Sequence, residues 1–91
     1  MENRTYVNKK YIDELPTRSG VYFLYHEGNI LVYIGKAKSI KSRILDHDKT
    51  KIFKFIAYEE THYSRARELE KSLIELYKKE HNQLPYYNKQ K

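Results

Sequence analysis

The sequence predicts a small α+β domain, a three-stranded antiparallel sheet flanked by helices in the order ββαβα. Three observations lead there. Two runs rich in β-branched and aromatic residues, Gly20–His26 and Ile30–Gly35, flank the turn signal Glu27-Gly28-Asn29 and read as an antiparallel hairpin. A third such run covers Ile52–Tyr58. Over residues 64–81 apolar side chains recur at helical spacing, at Ala66, Leu69, Leu73, Leu76 and Tyr77.

In chain order, residues 1–14 read as an N-terminal arm or a short helical turn ending at Leu15-Pro16, and residues 15–91 as one domain. After the hairpin, Ser39 offers an N-cap for a short helix over 40–48, with Ile40 and Ile44 on its buried side. The third strand is flanked by Lys51 and by Glu59-Glu60, charges that suit a sheet edge. Ser64 with Arg67 and Glu68 gives the long helix only an imperfect start signal. Pro85 ends any helix before the tail PYYNKQK.

Composition narrows the function classes. The 91 residues contain no cysteine, which excludes disulfides and thiolate zinc sites and fits a cytoplasmic protein. The N-terminus MENRTYVNKKYIDELP lacks the apolar core of a signal peptide, and no apolar run approaches a membrane span, so no membrane partner is expected. Net charge is +6. From Lys36 to Lys54 seven basic residues stand against Asp46 and Asp48, the kind of excess that meets a phosphate backbone. Lys36, Lys38, Lys41 and Lys51 are the expected DNA contacts.

Several residues converge only if the strands and helices assemble as described. Alternation along the hairpin can place Tyr22 and Tyr33 on one face with their hydroxyls close together. Gly35 is expected to let the chain turn toward the first helix. Arg43 and His47 lie one helical turn apart beside Ile40 and Ile44, where a guanidinium can clamp a phosphate through two donors. At about 100° per residue, Glu70 falls inside the arc of Ala66, Leu69, Leu73, Ile74 and Tyr77, whereas Glu68, Glu75 and Glu80 fall nearer the polar side. A carboxylate on a core-facing arc is costly unless it is paired or holds a cation. One carboxylate plus waters suffices for magnesium.

The stretches LPTRSGVYFLY, YIGKAKSIKSRI and ELEKSLIELYKKEHNQLPYYN resemble the GIY-YIG nuclease superfamily in order and spacing. The nearest likeness is to the nuclease domain of a bacterial excision-repair endonuclease subunit. It covers roughly residues 15–88. The resemblance implies metal-dependent hydrolysis at phosphate on a three-stranded sheet. By position, Tyr22 and Tyr33 match the signature tyrosines, Arg43 the helix arginine and His47 a tyrosine-or-histidine position. Glu70 matches the metal-binding glutamate, Asn88 a late supporting asparagine, and Lys36 a position where repair relatives also carry lysine. Ser19 departs from the proline common before the GVY tripeptide.

The expected activity is therefore a DNA endonuclease using Mg2+ or Mn2+. Glu70 would hold the metal, Arg43 the phosphate, and Tyr22 or Tyr33 would take the proton of the attacking water. His47 would position that water or contact phosphate. The alternative is a DNA-binding module of the same fold that is not catalytic or depends on a protein partner for targeting. A core-side carboxylate favours the enzyme, since binding alone has no use for it.

Overall fold

The computed structural model describes residues 4–90; the first three residues of the expected arm and Lys91 lie outside the described residues. Strand β1 (Thr5–Asn8) leads into a short 3-10 helix (Lys9–Glu14). Then come strands β2 (Gly20–His26) and β3 (Ile30–Ala37), helix α1 (Ile40–Asp48), strand β4 (Phe55–Glu60), helix α2 (Tyr63–His81) and a terminal 3-10 segment (Tyr86–Gln90).

The hairpin forms as its sequence indicates. Gly28 and Asn29 both take positive φ, 78° and 60°, the conformation that turns β2 back into β3. The ladder runs from Gly20 opposite Ala37 to His26 opposite Ile30, with an irregularity between Leu24 and Tyr25. Ser39 caps α1 as expected, its hydroxyl accepting from the Ser42 N–H at 3.3 Å.

The sheet has four antiparallel strands in the order β1-β4-β2-β3, not three. The extra strand comes from the arm. Thr5–Asn8 pairs with Phe55–Tyr58, about fifty positions away in the chain. β4 is consequently an inner strand, and its flanking charges do not mark an edge. It also begins at Phe55 rather than Ile52. Ile52 is exposed, its N–H donating to the Tyr87 hydroxyl at 2.9 Å, while Phe53 already turns into the core.

Two apolar layers lie on the sheet's two faces. On one side Tyr22, Leu24, Tyr33 and Ile56 pack with Ile40 and Ile44 of α1 and with Phe53. On the other, Val21, Phe23, Ile34 and Ala57 pack with Ala66 and, at its margin, Leu69, Leu73, Ile74 and Tyr77 of α2. Leu76 departs from the expected apolar stripe and is exposed; at helical spacing it lies outside the arc that Ile74 and Tyr77 close. Among the described residues no helix is long and apolar enough to cross a membrane. β3 is an edge strand, and beside it the two layers meet; that edge carries the candidate site.

Candidate active site

Tyr22 and Gly35 face each other across the β2–β3 ladder, and Tyr33 lies opposite Leu24. With one residue between them on β3, Tyr33 and Gly35 look to the same face as Tyr22. The two tyrosine rings tilt together with centroids 6.0 Å apart. Gly35 makes this packing feasible. A Cβ there would stand 2.5 Å from Cζ and Oη of Tyr22 and 2.7 Å from Cε2 of Tyr33. Gly35 lies inside the strand, which continues to Ala37, so its role is room for two rings and not the expected turn.

Helix α1 supplies the third member. His47 is buried one turn after Ile44, and its Nε2 lies 2.7 Å from the Tyr22 hydroxyl. The His47 ring also stacks obliquely against Tyr33, centroids 4.7 Å apart. Burial first, then the charges of Lys51 and Arg43, hold the imidazole down at about 4 from its ordinary 6.5. It is therefore neutral at pH 7, and in the tautomer with its proton on Nδ1 the Nε2 accepts the Tyr22 O–H. Burial raises the Tyr22 phenol far above its usual value, the neighbouring Tyr33 adds to that, and Arg43 opposes it. Tyr33 is also raised by burial, with Arg43 lowering and Glu70 raising it. Neither tyrosine is a ready phenolate.

Arg43 lies one turn before His47 on α1 but is exposed, where the sequence set it nearer the core side. Its charge acts on Tyr22, Tyr33 and His47 alike, and it joins no ion pair among the described residues. Glu70 approaches from α2. With Ala66 it is one of only two buried residues of that helix, as its place on the arc indicates. Lys36 on β3 holds it, Nζ to Oε1 at 3.3 Å. The Glu70 charge is felt at both tyrosines.

Asn88 reaches the site only through backbone. Its Oδ1 accepts the Ile34 N–H at 2.9 Å and its Nδ2 donates to the Ile34 carbonyl at 3.0 Å. One side chain thus closes the free edge of β3 between Tyr33 and Gly35. Of the four expected DNA lysines, Lys36 and Lys38 line an open depression with Arg43, and Lys51 lies 5.3 Å from the Tyr33 ring centroid. Lys41 makes none of these contacts; its N–H bonds the Pro16 carbonyl at 2.9 Å. Sequence reasoning missed Tyr63, which lines the same depression beneath Lys38, and Tyr87, which packs on the core and helps carry Lys51. A tyrosine at a helix start and one in a tail carry no signal until the chain is folded.

Two tyrosines, a histidine, an arginine and a carboxylate assembled on a sheet of this topology define a class. A family model described as the GIY-YIG catalytic domain matches residues 18–84, and the chain belongs to that family. Asn88 falls beyond the matched span. Among individual proteins, the chain is similar to the UvrABC system protein C of Methanosphaera stadtmanae, 33% identical over 90 residues, covering 84% of this chain and 14% of that protein. The UvrABC system protein C of Borrelia hermsii is 41% identical over 46 residues, 50% of this chain and 8% of that protein. Excinuclease cho of Escherichia coli K12 is 42% identical over 43 residues, 46% of this chain and 15% of that protein. The chain thus spans 8% to 15% of the length of these three relatives. Family and relatives together support a nuclease.

Proposed function

We propose that this domain is a divalent-metal-dependent endonuclease that hydrolyses one DNA strand at its site, with low sequence specificity. The observation that carries the reading is the packing of Tyr22, Tyr33 and His47 over the bare backbone of Gly35, within reach of the charges of Arg43 and Glu70. Pure binding has no need of a buried proton relay.

The relay uses Tyr22 without ionising it. A water attacking phosphorus gives its proton to the Tyr22 oxygen as Tyr22 passes its own proton to His47 Nε2 along the 2.7 Å hydrogen bond, while the bond from phosphorus to the leaving sugar oxygen breaks. His47, held at about 4, carries the proton only in passing and releases it to solvent, from which the departing oxygen is protonated. No free phenolate accumulates, so the cost of the step lies in protonating His47 and not in ionising Tyr22. Tyr33, beside both rings, orients the water. Arg43 takes the phosphate, where its fork of donors stabilises charge that grows toward the transition state. Lys36, Lys38 and Lys51 contribute phosphate contacts around it; Lys41, set apart, contributes little.

The residues fit a magnesium or manganese ion. Glu70 is a buried carboxylate, and among the described residues no group of three or more His, Cys, Asp or Glu gathers as a metal cage. One carboxylate with the remaining positions left to water and phosphate oxygen suits magnesium, not structural zinc. Glu70 would hold such an ion, which would supply neutralisation of charge at the reacting phosphate. Both helices pack on the sheet, and none of the described elements forms a module that reads base edges, which supports low specificity. The likeness to excinucleases supports strand incision in DNA repair as the setting, with targeting supplied by a protein partner.

The test is Glu70→Gln, which keeps shape and removes charge. Lys36 is partly exposed and can be resolvated, so the variant is expected to melt within about 1 kcal/mol of the parent in chelator. It should bind DNA and show no plasmid nicking in magnesium or manganese. Added metal should raise the melting temperature of the parent and not of the variant. Robust metal-dependent nicking by Glu70→Gln overturns the metal assignment.

A further inference from the structure

Helix α2 does more than carry Glu70. Tyr63, Arg67, Glu70, Lys71, Ile74 and Lys78 recur at steps of three and four, so they form a single stripe along the helix. Two open depressions share Lys36 of β3 and extend from it along that stripe. One, of about 400 Å3, is bounded by Lys38, Ser39, Ser42, Arg43 and Tyr63. The other, of about 480 Å3, is bounded by Arg67, Glu70, Lys71 and Lys78. Arg67, Lys71 and Lys78 are exposed and join no ion pair among the described residues. Glu75, between Lys71 and Lys78 at helical spacing, lines the second depression without pairing with either. By contrast Lys9, Lys49 and Lys54 each have an acidic partner within 4.0 Å. Besides Glu70 and Glu75, Asp46 is the third acid lining the two depressions, and Lys49 stands 3.9 Å from it.

We infer that the DNA backbone lies along this stripe of α2, with Lys71 and Lys78 on phosphates on one side of the cut, Arg67 close beside it, and Lys38, Ser39, Ser42 and Tyr63 on the other. This rests on the nuclease reading and adds to it a route and a length. Unpaired cations spaced along one helical face suit a polyanion with regularly spaced charge. Folding has no evident use for three such side chains beside one another, because like charges repel. From Tyr63 to Lys78 a helix rises about 22 Å, and Glu70 sits near the middle, about 10 Å from one end and 12 Å from the other. At about 3.4 Å per base pair that is a footprint of roughly six base pairs, about three on each side of the scissile bond. The chief cationic rail is thus α2 and not the basic run from Lys36 to Lys54. Lys41 of that run lines neither depression, while Lys36 serves where the two meet and Lys38 lines the first.

The experiment is binding of a 20-base-pair duplex in chelator as salt is varied, so that cleavage plays no part. Each phosphate contact contributes about 0.9 to the slope of log affinity against log salt. Arg67→Gln/Lys71→Gln/Lys78→Gln should lose about 2 to 3 from that slope. Lys10→Gln/Lys54→Gln/Arg65→Gln, with the same loss of charge off the stripe, should change it by less than 1. All these side chains are exposed, and circular dichroism and melting check that both triple variants fold. Equal slopes for the two variants overturn the route while leaving the nuclease reading standing. A parent that fails to bind duplex overturns both. Metal-dependent nicking by Glu70→Gln overturns only the metal assignment.

Discussion

A buried imidazole beside a buried phenol holds one arrangement of protons near neutral pH. His47 stays unprotonated because burial and two nearby cations disfavour its charge, and its Nε2 shares a hydrogen bond with the Tyr22 hydroxyl. The folded value of about 4 lies below the unfolded 6.5. Between these values the unfolded chain binds the additional proton, so stability rises with pH across the window. The contribution is complete above about 6.5 and is lost as pH falls toward 4. At pH 4.5 the loss is about 2 kcal/mol, roughly 10 °C of melting temperature in a domain of this size. His47→Gln keeps an acceptor for the Tyr22 hydroxyl and cannot take the proton. Its melting temperature should fall by about 10 °C less than the parent's between pH 7 and 4.5. Equal falls would show that His47 is not held neutral by the fold. The site's membership was legible in the sequence because strand alternation and helical angle are local rules; they put Tyr22 with Tyr33, His47 near the core and Glu70 on the buried arc. What those rules do not contain is the hydrogen bond from Tyr22 to His47. It joins a strand to a helix 25 residues on, and it depends on Gly35 having no side chain.

At the scale of elements, β3 is the exposed rim on which the site is built, and Asn88 closes it. Its carboxamide supplies the acceptor and donor that a fifth strand would have offered to Ile34. Asn88→Ala leaves a backbone N–H and a carbonyl to find water at a buried position. The expected cost is about 2 kcal/mol in a urea melt. Hydrogen exchange should quicken at the Ile34 amide before it does in the middle of β2. An unchanged melt would mean that the terminal 3-10 segment holds the edge without this side chain. The same rim explains what the sequence hid. The hairpin and both helices were readable because each carries its period and its punctuation within a short stretch. β1 has only four residues, three of them exposed, and an edge strand of that pattern has no apolar alternation to betray it. Its partner lies some fifty positions on, so β4, taken without β1, looked like an edge. Asn88 had no local meaning in the tail; only its return to Ile34 gives it one.

For the whole molecule, the proposed function places one site on each of these domains, and that has a kinetic consequence. The charge of +6 would draw a polyanion such as DNA without regard to sequence. Each encounter presents one Arg43 and one Glu70 to one phosphate. On the proposed function successive cuts on a plasmid are independent, and each breaks a single strand. Supercoiled circles should convert first to open circles. Linear molecules should appear only late, once two nicks on opposite strands fall close together by chance. The time course separates this from the rival arrangement, in which two copies act as a pair. A pair cuts both strands in one visit, so linear product would rise from the start. Its yield relative to open circles would also grow with protein concentration. Magnesium must be held constant in this comparison, and salt kept near 0.1 M, since long-range attraction between exposed charges and phosphate weakens as the screening length contracts below about 10 Å. Open circles that accumulate to near completion before linear DNA emerges, at every protein concentration, are the expected result. Early linear product would show that two sites engage together and would replace the one-strand reading with a dimeric one.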